Sequence, residues 1–220
     1  MRNRFDEQLD LLHEKLIRMS NMCEEVIIMA VKSLNDDDPE LIKKVRETDP
    51  LIDNMEREIE SLCFKLMLQQ QPVAHDLRQI SAALKMITDM ERIGDQASDI
   101  VEIVDSMKGR PTIDCEIIRR MAEAVIEMVN GSVEAFVDND VKLAQDVIDS
   151  DDAVDAYFDQ AKEDLINMLK KDHADGEYAI DLLMIAKYFE RIGDHATNIA
   201  EWVMFSVTGV HRNSEMMGNM

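Results

Sequence analysis

The pentapeptide Glu-Arg-Ile-Gly-Asp occurs twice in this chain, at residues 91–95 and 190–194. On a helix, the Glu and Asp of each copy lie on one face about 5–6 Å apart, where like charges repel by a few tenths of a kcal/mol. The glycine between them weakens a helix by roughly 1 kcal/mol relative to alanine. Because these two unfavourable features recur together in both copies, the repeat indicates a functional site that offsets them.

The segments that precede the motif also repeat. Residues 29–53, which end in Asp-Pro-Leu-Ile-Asp, align with residues 131–155, which end in Asp-Asp-Ala-Val-Asp. Each half thus carries an Asp-xxx-Asp pair on one predicted helix and a Glu-xxx-Asp pair on the next. Short turns make consecutive helices antiparallel neighbours. Because the two pairs lie at nearly equal distances from the turns near residues 73 and 174, four carboxylates are expected to converge in each half.

These converging side chains, with one further residue a turn along in each half, are the candidate metal ligands. They are Asp49, Asp53, Glu91, Asp95 and Asp99 in the first half, and Asp151, Asp155, Glu190, Asp194 and Asn198 in the second. Oxygen-only sites suit hard cations such as magnesium, calcium, manganese or iron. A merely solvated acidic face is the alternative, but the repeated motif and the repeated register favour metal binding.

The position of the acids on their helices predicts where such a site lies. Glu91 and Asp95 are about 200° around the helix from the apolar seam, so the site should be shallow and at the surface. That placement suits a metal platform for a partner or a small anion better than a dry catalytic pocket. Gly94 either admits a cation or a neighbouring backbone closely or fits a tight helix crossing. His195 points about 100° away from the acids, which disfavours it as a ligand.

Apolar residues at helical spacing predict six long helices. The first follows a coiled-coil-like 4-3 pattern from Phe5. The second begins at Pro39 with Asp38 as its cap. Pro50 is predicted to kink or interrupt the second helix, and Asp49 is then an alternative local N-cap. The other four helices are predicted at about residues 75–107, 112–137, 141–171 and 177–207.

The repeat and the helices together predict an all-α fold. Its architecture is two tandem three-helix bundles related by internal pseudo-symmetry, joined end to end or side by side. The first bundle is placed at residues 1–110 and the second at 111–208, with a flexible C-terminal tail at 209–220. Few turn residues, with seven Gly and four Pro, agree with this fold class.

Charge and composition limit the partners and the compartment. The formal net charge of -22 argues against nucleic acid and anionic membrane surfaces, because both would be repelled. Basic surfaces or cations are the expected partners. No apolar signal segment and no membrane-spanning stretch is visible, so no direct membrane insertion is expected. Cys23, Cys63 and Cys115 have no CxxC spacing, which predicts buried thiols in a reducing cytoplasm.

The sequence gives no support for an enzyme. It contains no Gly-rich phosphate loop, no Gly-x-Ser-x-Gly elbow and no Cys/His pairing. A ferritin-like di-metal carboxylate oxidase would need Glu-x-x-His pairs, and none of the five histidines has a glutamate three residues before it. A metal-free helical adaptor, whose acids form a docking face for a basic partner, is the second alternative.

With an acid pair on the middle helix of each unit and Glu-Arg-Ile-Gly-Asp-x-Ala-x-(Asp/Asn)-Ile on the third, the chain resembles the PhoU family of bacterial phosphate-regulon regulators over about residues 3–207. The resemblance implies a cytoplasmic homodimer whose ten candidate ligands hold multinuclear iron or zinc clusters. It also implies repression of the phosphate regulon when phosphate is plentiful, through the phosphate transporter ATPase subunit and the phosphate-sensing histidine kinase. Asn198 departs from the family pattern and predicts a less charged second site that holds fewer metals.

Overall fold

A computed structural model describes residues 2–36, 38–69, 72–108, 116–171 and 175–210, and within these ranges the chain forms helices and no strand. The helices are α1 (Arg2–Asn35), α2 (Pro39–Gln69), α3 (Ala74–Ser106), α4 (Glu116–Asp138), α5 (Val141–Leu169) and α6 (Gly176–Thr208). The all-α prediction with six long helices is therefore confirmed. The predicted junction between the halves at residues 110–111, Cys115 and most of the tail lie outside the described residues.

The apolar seams predicted from the sequence fill the core. On α1, Leu12, Leu16, Met19 and Cys23 are completely buried, as the 4-3 pattern predicts. On α4, Met121 and Met128 are buried, whereas Ile117 and Ala124 on the same apolar stripe are only partly buried. Because α4 packs against α1, α5 and α6, its apolar face is wider than a two-helix seam.

The start of α2 agrees with the sequence prediction, but the interruption predicted at Pro50 does not occur. The Asp38 carboxylate accepts a hydrogen bond from the backbone N–H of Glu40 at 3.0 Å, as a capping residue should. However, α2 runs unbroken through Pro50, so the prediction of an interruption with Asp49 as an N-cap is wrong. Pro50 is exposed, whereas Val45 and Ile52 on either side are completely buried. Packing of these flanking residues holds the helix together despite the lost backbone hydrogen bond.

The two three-helix bundles pack side by side around one continuous core. Helix α3 lies against α6, and α1 lies against α4. Buried residues from all six helices form a single hydrophobic cluster. The side chain of Arg78, near the start of α3, donates a hydrogen bond to the backbone oxygen of Ser206, near the end of α6, at 3.3 Å. Helices α3 and α6 therefore run antiparallel, which brings the two Glu-Arg-Ile-Gly-Asp segments to the same level.

Two of the three cysteines confirm the predicted packing role. Cys23 and Cys63 are free and buried, and burial raises the pKa of each thiol to about 12. Such thiols are protonated at neutral pH and unreactive. In the described part of the chain, no helix combines the length and the apolar character needed to cross a membrane.

Candidate metal centres

The first cluster consists of Asp49 and Asp53 on α2 with Glu91 and Asp95 on α3. Asp95 interacts with Asp53 across the two helices, and Asp49 interacts with Asp95. Glu91 interacts with both Asp95 and Asp53. All four side chains are partly buried or exposed. The structure thus brings these four predicted residues together at the surface, between the second and third helices of the first half.

The glycine of the motif allows α2 to cross α3 closely at this point. A methyl group built on Gly94 would lie 3.0 Å from Ile52 Cδ1 and 3.5 Å from Asp49 Oδ1. In the second half, a methyl group on Gly193 would lie 3.3 Å from Asp151 Oδ1. At Gly94 the added carbon would crowd the buried Ile52 side chain, whereas at Gly193 its closest neighbour is the partly exposed Asp151 carboxylate. Gly94 therefore fits a tight crossing of the neighbouring helix, one of the two roles predicted for it.

The carboxylates of the first cluster oppose one another electrostatically. Partial burial, followed by the charges of Asp95, Glu56 and Asp53, raises the pKa of Glu91 to about 7. Burial and the neighbouring acids also raise the pKa values of Asp49 and Asp95. The charged form of this cluster is thus unfavourable in the protein alone, so a bound cation or a proton would stabilise it.

The second cluster is built in the same way from Asp151 and Asp155 on α5 with Glu190 and Asp194 on α6. Burial, then Asp194 and Asp155, raise the pKa of Asp151 to about 6. The carboxylate of Glu190 forms an ion pair with Lys187 through Oε1 at 2.5 Å. Its second oxygen, Oε2, is buried and has no hydrogen-bond partner among the described residues. This oxygen keeps its capacity to accept a donor or a cation.

Asp99 and Asn198 lie at the junction between the halves. The Tyr188 hydroxyl on α6 lies close enough to the Asp99 carboxylate on α3 to oppose the rise in its pKa that burial causes. In the related position, Asn198 Nδ2 on α6 donates to Asp89 Oδ1 on α3 at 3.3 Å. Asp99 also interacts with Asp95 and so adjoins the first cluster. Each of these residues connects its own half to the opposite one.

His195 belongs to the same junction. Its Nδ1 lies 2.9 Å from Asp89 Oδ1, and both side chains are almost completely buried. The imidazole thus faces the helix α3 of the first half. This contact gives His195 a partner in the interior, in agreement with its position away from the acids on the predicted helix.

Four residues that border the clusters are not among those predicted from the sequence. In the first half, Thr88 Oγ1 donates to Glu56 Oε1 at 3.3 Å, beside Glu91. In the second half, Lys187 Nζ lies 5.3 Å from the centre of the Phe158 ring. Extending the alignment of the two halves by one turn beyond the acid pairs would have found these four positions, since Glu56 aligns with Phe158 and Thr88 with Lys187.

The acids come together in each half, but they do not form a ready-made metal site. Across the described ranges of the chain, no three His, Cys, Asp or Glu side chains are arranged so that they could hold one metal ion. The donor chemistry nevertheless fits a hard cation, because the groups are carboxylates and one buried oxygen of Glu190 has no partner. Both clusters are thus groups of suitable ligands whose side chains do not close around a common point.

Comparison with known proteins agrees with the repeated architecture. A family model described as the PhoU domain matches the chain twice, at residues 16–104 and 118–203. The chain belongs to the PhoU family. Among its relatives, a phosphate-specific transport system accessory protein PhoU homologue of Clostridium acetobutylicum is 34% identical over 207 residues, covering 93% of this chain and 94% of that protein. A homologue of the same description from Aquifex aeolicus is 35% identical over 186 residues, covering 84% of each protein.

Solved structures support the PhoU fold for the whole described architecture. The crystal structure of PhoU from Pseudomonas aeruginosa superposes with a TM-score of 0.86 at 33% identity, covering 94% of this chain and 100% of that one. The phosphate transport system regulatory protein PhoU from Streptococcus pneumoniae has a TM-score of 0.87 at 24% identity, covering 94% and 98%. The two PhoU domains of this chain are the two tandem three-helix bundles predicted from its repeat.

Proposed function

We propose that this chain is a non-enzymatic accessory regulator of phosphate uptake, which represses the phosphate regulon when phosphate is plentiful. The observation that carries the proposal is the PhoU domain match in both halves, together with relatives named as accessory proteins of the phosphate-specific transport system. The match covers 94% of the Clostridium acetobutylicum relative, so the proposal rests on similarity along nearly all of that protein.

The proposed partners are the phosphate transporter ATPase subunit and the phosphate-sensing histidine kinase, which this protein would meet as a cytoplasmic homodimer. Exposed apolar side chains support a role in protein contacts. Leu68 is 84% exposed and Val73 64% exposed, one on either side of the turn between α2 and α3. Phe64, one turn before Leu68 on the same helix, is 48% exposed. Large apolar residues left in solvent at one end of a bundle are typical of an interaction surface.

We further propose that both clusters bind divalent or trivalent cations, with iron or zinc expected from the family and magnesium, manganese or calcium from the donor chemistry. Asp49, Asp53, Glu91 and Asp95 would hold the cation of the first half. The pKa values of Glu91 and Asp95 are raised, in part by repulsion from Asp53. A bound cation would relieve this repulsion. A bound cation would connect α2 to α3 without any catalytic step. Binding would require the partly exposed carboxylates to change rotamer, which solvent exposure permits.

Deletion of the gene tests the regulatory role. In phosphate-rich medium, the deletion strain should produce alkaline phosphatase that the parent strain represses, and the gene supplied in trans should restore repression. Variants with Phe64→Ser plus Leu68→Ser test the partner surface in the same strain. Unchanged alkaline phosphatase in the deletion strain would contradict the proposal.

Elemental analysis tests cation binding separately. Protein purified without chelator or nickel resin should carry metal above trace, and Glu91→Gln plus Asp95→Asn should remove the share held by the first cluster. The matched control is Glu123→Gln plus Glu127→Gln, since these glutamates have the same spacing on α4 and are exposed. Metal-free wild-type protein that still represses the regulon would instead support the helical adaptor. Equal metal loss in both variants would contradict the assignment of the site.

A further inference from the structure

The surroundings of the two clusters differ at two neighbouring pairs of equivalent positions. Thr88 and Glu56 in the first half correspond to Lys187 and Phe158 in the second. Thr88 donates a hydrogen bond to Glu56 at 3.3 Å, whereas Lys187 places its ammonium 5.3 Å from the centre of the Phe158 ring. A cation at this distance from an aromatic face is attracted to it. The hydroxyl–carboxylate pair of the first half is therefore replaced by an ammonium–aromatic pair in the second half.

Lys187 lies at the edge of the second cluster, where its side chain is 45% exposed. Its Nζ lies 2.5 Å from Glu190 Oε1, and the Glu190 side chain is only 14% exposed. Phe158 packs against the core, which fixes the ring that supports the ammonium. Burial and the charge of Glu190 raise the pKa of Asp194, and the charge of Lys187 opposes that rise. The ammonium thus neutralises part of the charge that a bound metal would neutralise.

The first cluster has a carboxylate where the second has the ring. Glu56 raises the pKa of Glu91 further, and the pKa of Glu56 is itself raised by burial and by neighbouring acids. Asp99 on α3 adds another acid where α6 has Asn198. Each of these three differences makes the first cluster more negative than the second. The first cluster also has a nearby cation, Arg57, but it lies 3.8 Å from Asp53 Oδ2 with its side chain 71% exposed, so water screens its charge. The electrostatic attraction for a cation should therefore be strongest at the first cluster.

We propose that Lys187 is a built-in counter-cation of the second cluster, so that divalent cations bind tightly at the first cluster and weakly at the second. The proposal rests on the cation binding proposed above. On this proposal, Lys187 sets the cation affinity of the second cluster. Thr88, the equivalent residue of the first cluster, carries no charge and leaves the affinity there high.

Titration with Mn²⁺ tests the proposal in a variant whose first cluster is disabled by Glu91→Gln plus Asp95→Asn. In this background, Lys187→Thr should raise the Mn²⁺ affinity about tenfold, because one repulsive charge beside the ion is removed. Lys162→Thr is the matched control: Lys162 also lies over Phe158, at 5.8 Å, but it forms an ion pair with Asp159 at 2.5 Å. In the otherwise wild-type chain, Thr88→Lys should weaken Mn²⁺ binding at the first cluster.

The outcomes separate this inference from the proposed function. Equal Mn²⁺ affinity at both wild-type clusters, or an affinity unaffected by Lys187→Thr, overturns the inference and leaves cation binding intact. No Mn²⁺ binding at either cluster overturns the proposed cation binding, and the affinity difference with it. Thermal unfolding of the chelator-treated protein gives a readout without metal. There, Lys187→Thr should lower the midpoint by about 2–4 °C at low salt and by less at high salt; an unchanged midpoint counts against the counter-cation.

Discussion

Replacing Glu91 by glutamine should stabilise the metal-free protein at neutral pH. Glu91 has an ordinary pKa of 4.5, and burial with the charges of Asp95, Glu56 and Asp53 raises it to about 7 in the folded protein. Between these pH values the folded state holds a proton that the unfolded state has released. The free energy of unfolding therefore falls as the pH rises from 4.5 to 7, and glutamine removes that loss.

The size of the effect follows from the pKa and from the exposure of Glu91. Taken at face value, a pKa raised this far corresponds to about 3 kcal/mol. Water screens a carboxylate that is only partly buried, which reduces the expected gain to about 1 kcal/mol. Glu91→Gln should therefore be more stable than wild type by about 1 kcal/mol above pH 7, and the two proteins should be equally stable near pH 4.5.

Urea denaturation of chelator-treated protein at several pH values between 4.5 and 8 measures this difference. Glu123→Gln on α4 is the control, because Glu123 is exposed and lies on a helix that takes no part in the first cluster. The control should change the free energy of unfolding little at any pH. The reasoning is refuted if Glu91→Gln is no more stable than wild type at pH 7.5, or if its gain is the same at pH 4.5.

Two further substitutions test the packing around the clusters by urea denaturation. Gly94→Ala should lower the free energy of unfolding by about 1 kcal/mol, because the overpacking at the buried Ile52, 3.0 Å from the new methyl group, outweighs the gain in helix propensity. Gly193→Ala should be nearly neutral, since its closest contact is a partly exposed carboxylate at 3.3 Å, and an equal gain in both variants would contradict the close crossing. Asp89→Ala should cost about 2 kcal/mol, because it leaves the buried His195 without its partner at 2.9 Å; a loss no greater than that of an exposed Asp→Ala variant would show that the contact contributes nothing.

The helices and the meeting of the acids could be predicted because both depend on short-range order. A 4-3 apolar pattern determines which face of α1 is buried, and Leu12 and Leu16 are buried accordingly. Helices joined by short turns run antiparallel, so the distance of each residue from the turn determines its neighbour. This reasoning placed Asp53 opposite Asp95, and the structure confirms that the two carboxylates interact.

Pro50 shows where local preference gives the wrong answer. A proline inside a helix removes one hydrogen bond and disfavours the helical conformation of the residue before it, so a break at Asp49 is the local expectation. The cost falls on one turn, whereas α2 is buried along its whole length through residues such as Val45, Ile52 and Ile59. Breaking the helix would expose several of these side chains at roughly 1.5–3 kcal/mol each, which exceeds the cost of one proline.

Contacts between the two halves could not be derived from helical spacing, because no turn fixes the register of α3 against α6. The approach of Tyr188 to Asp99 and the hydrogen bond from Asn198 to Asp89 depend on the way the bundles pack. The repeat nevertheless relates these two contacts. Asp89 is equivalent to Tyr188 and Asp99 to Asn198, so each contact joins one residue of each equivalent pair. The two halves share one fold, but some equivalent positions hold different residues, such as Lys187 on α6 and Thr88 on α3. At these positions the two acidic clusters have different chemistry. In a duplicated protein, these differences locate the chemistry that distinguishes one site from the other.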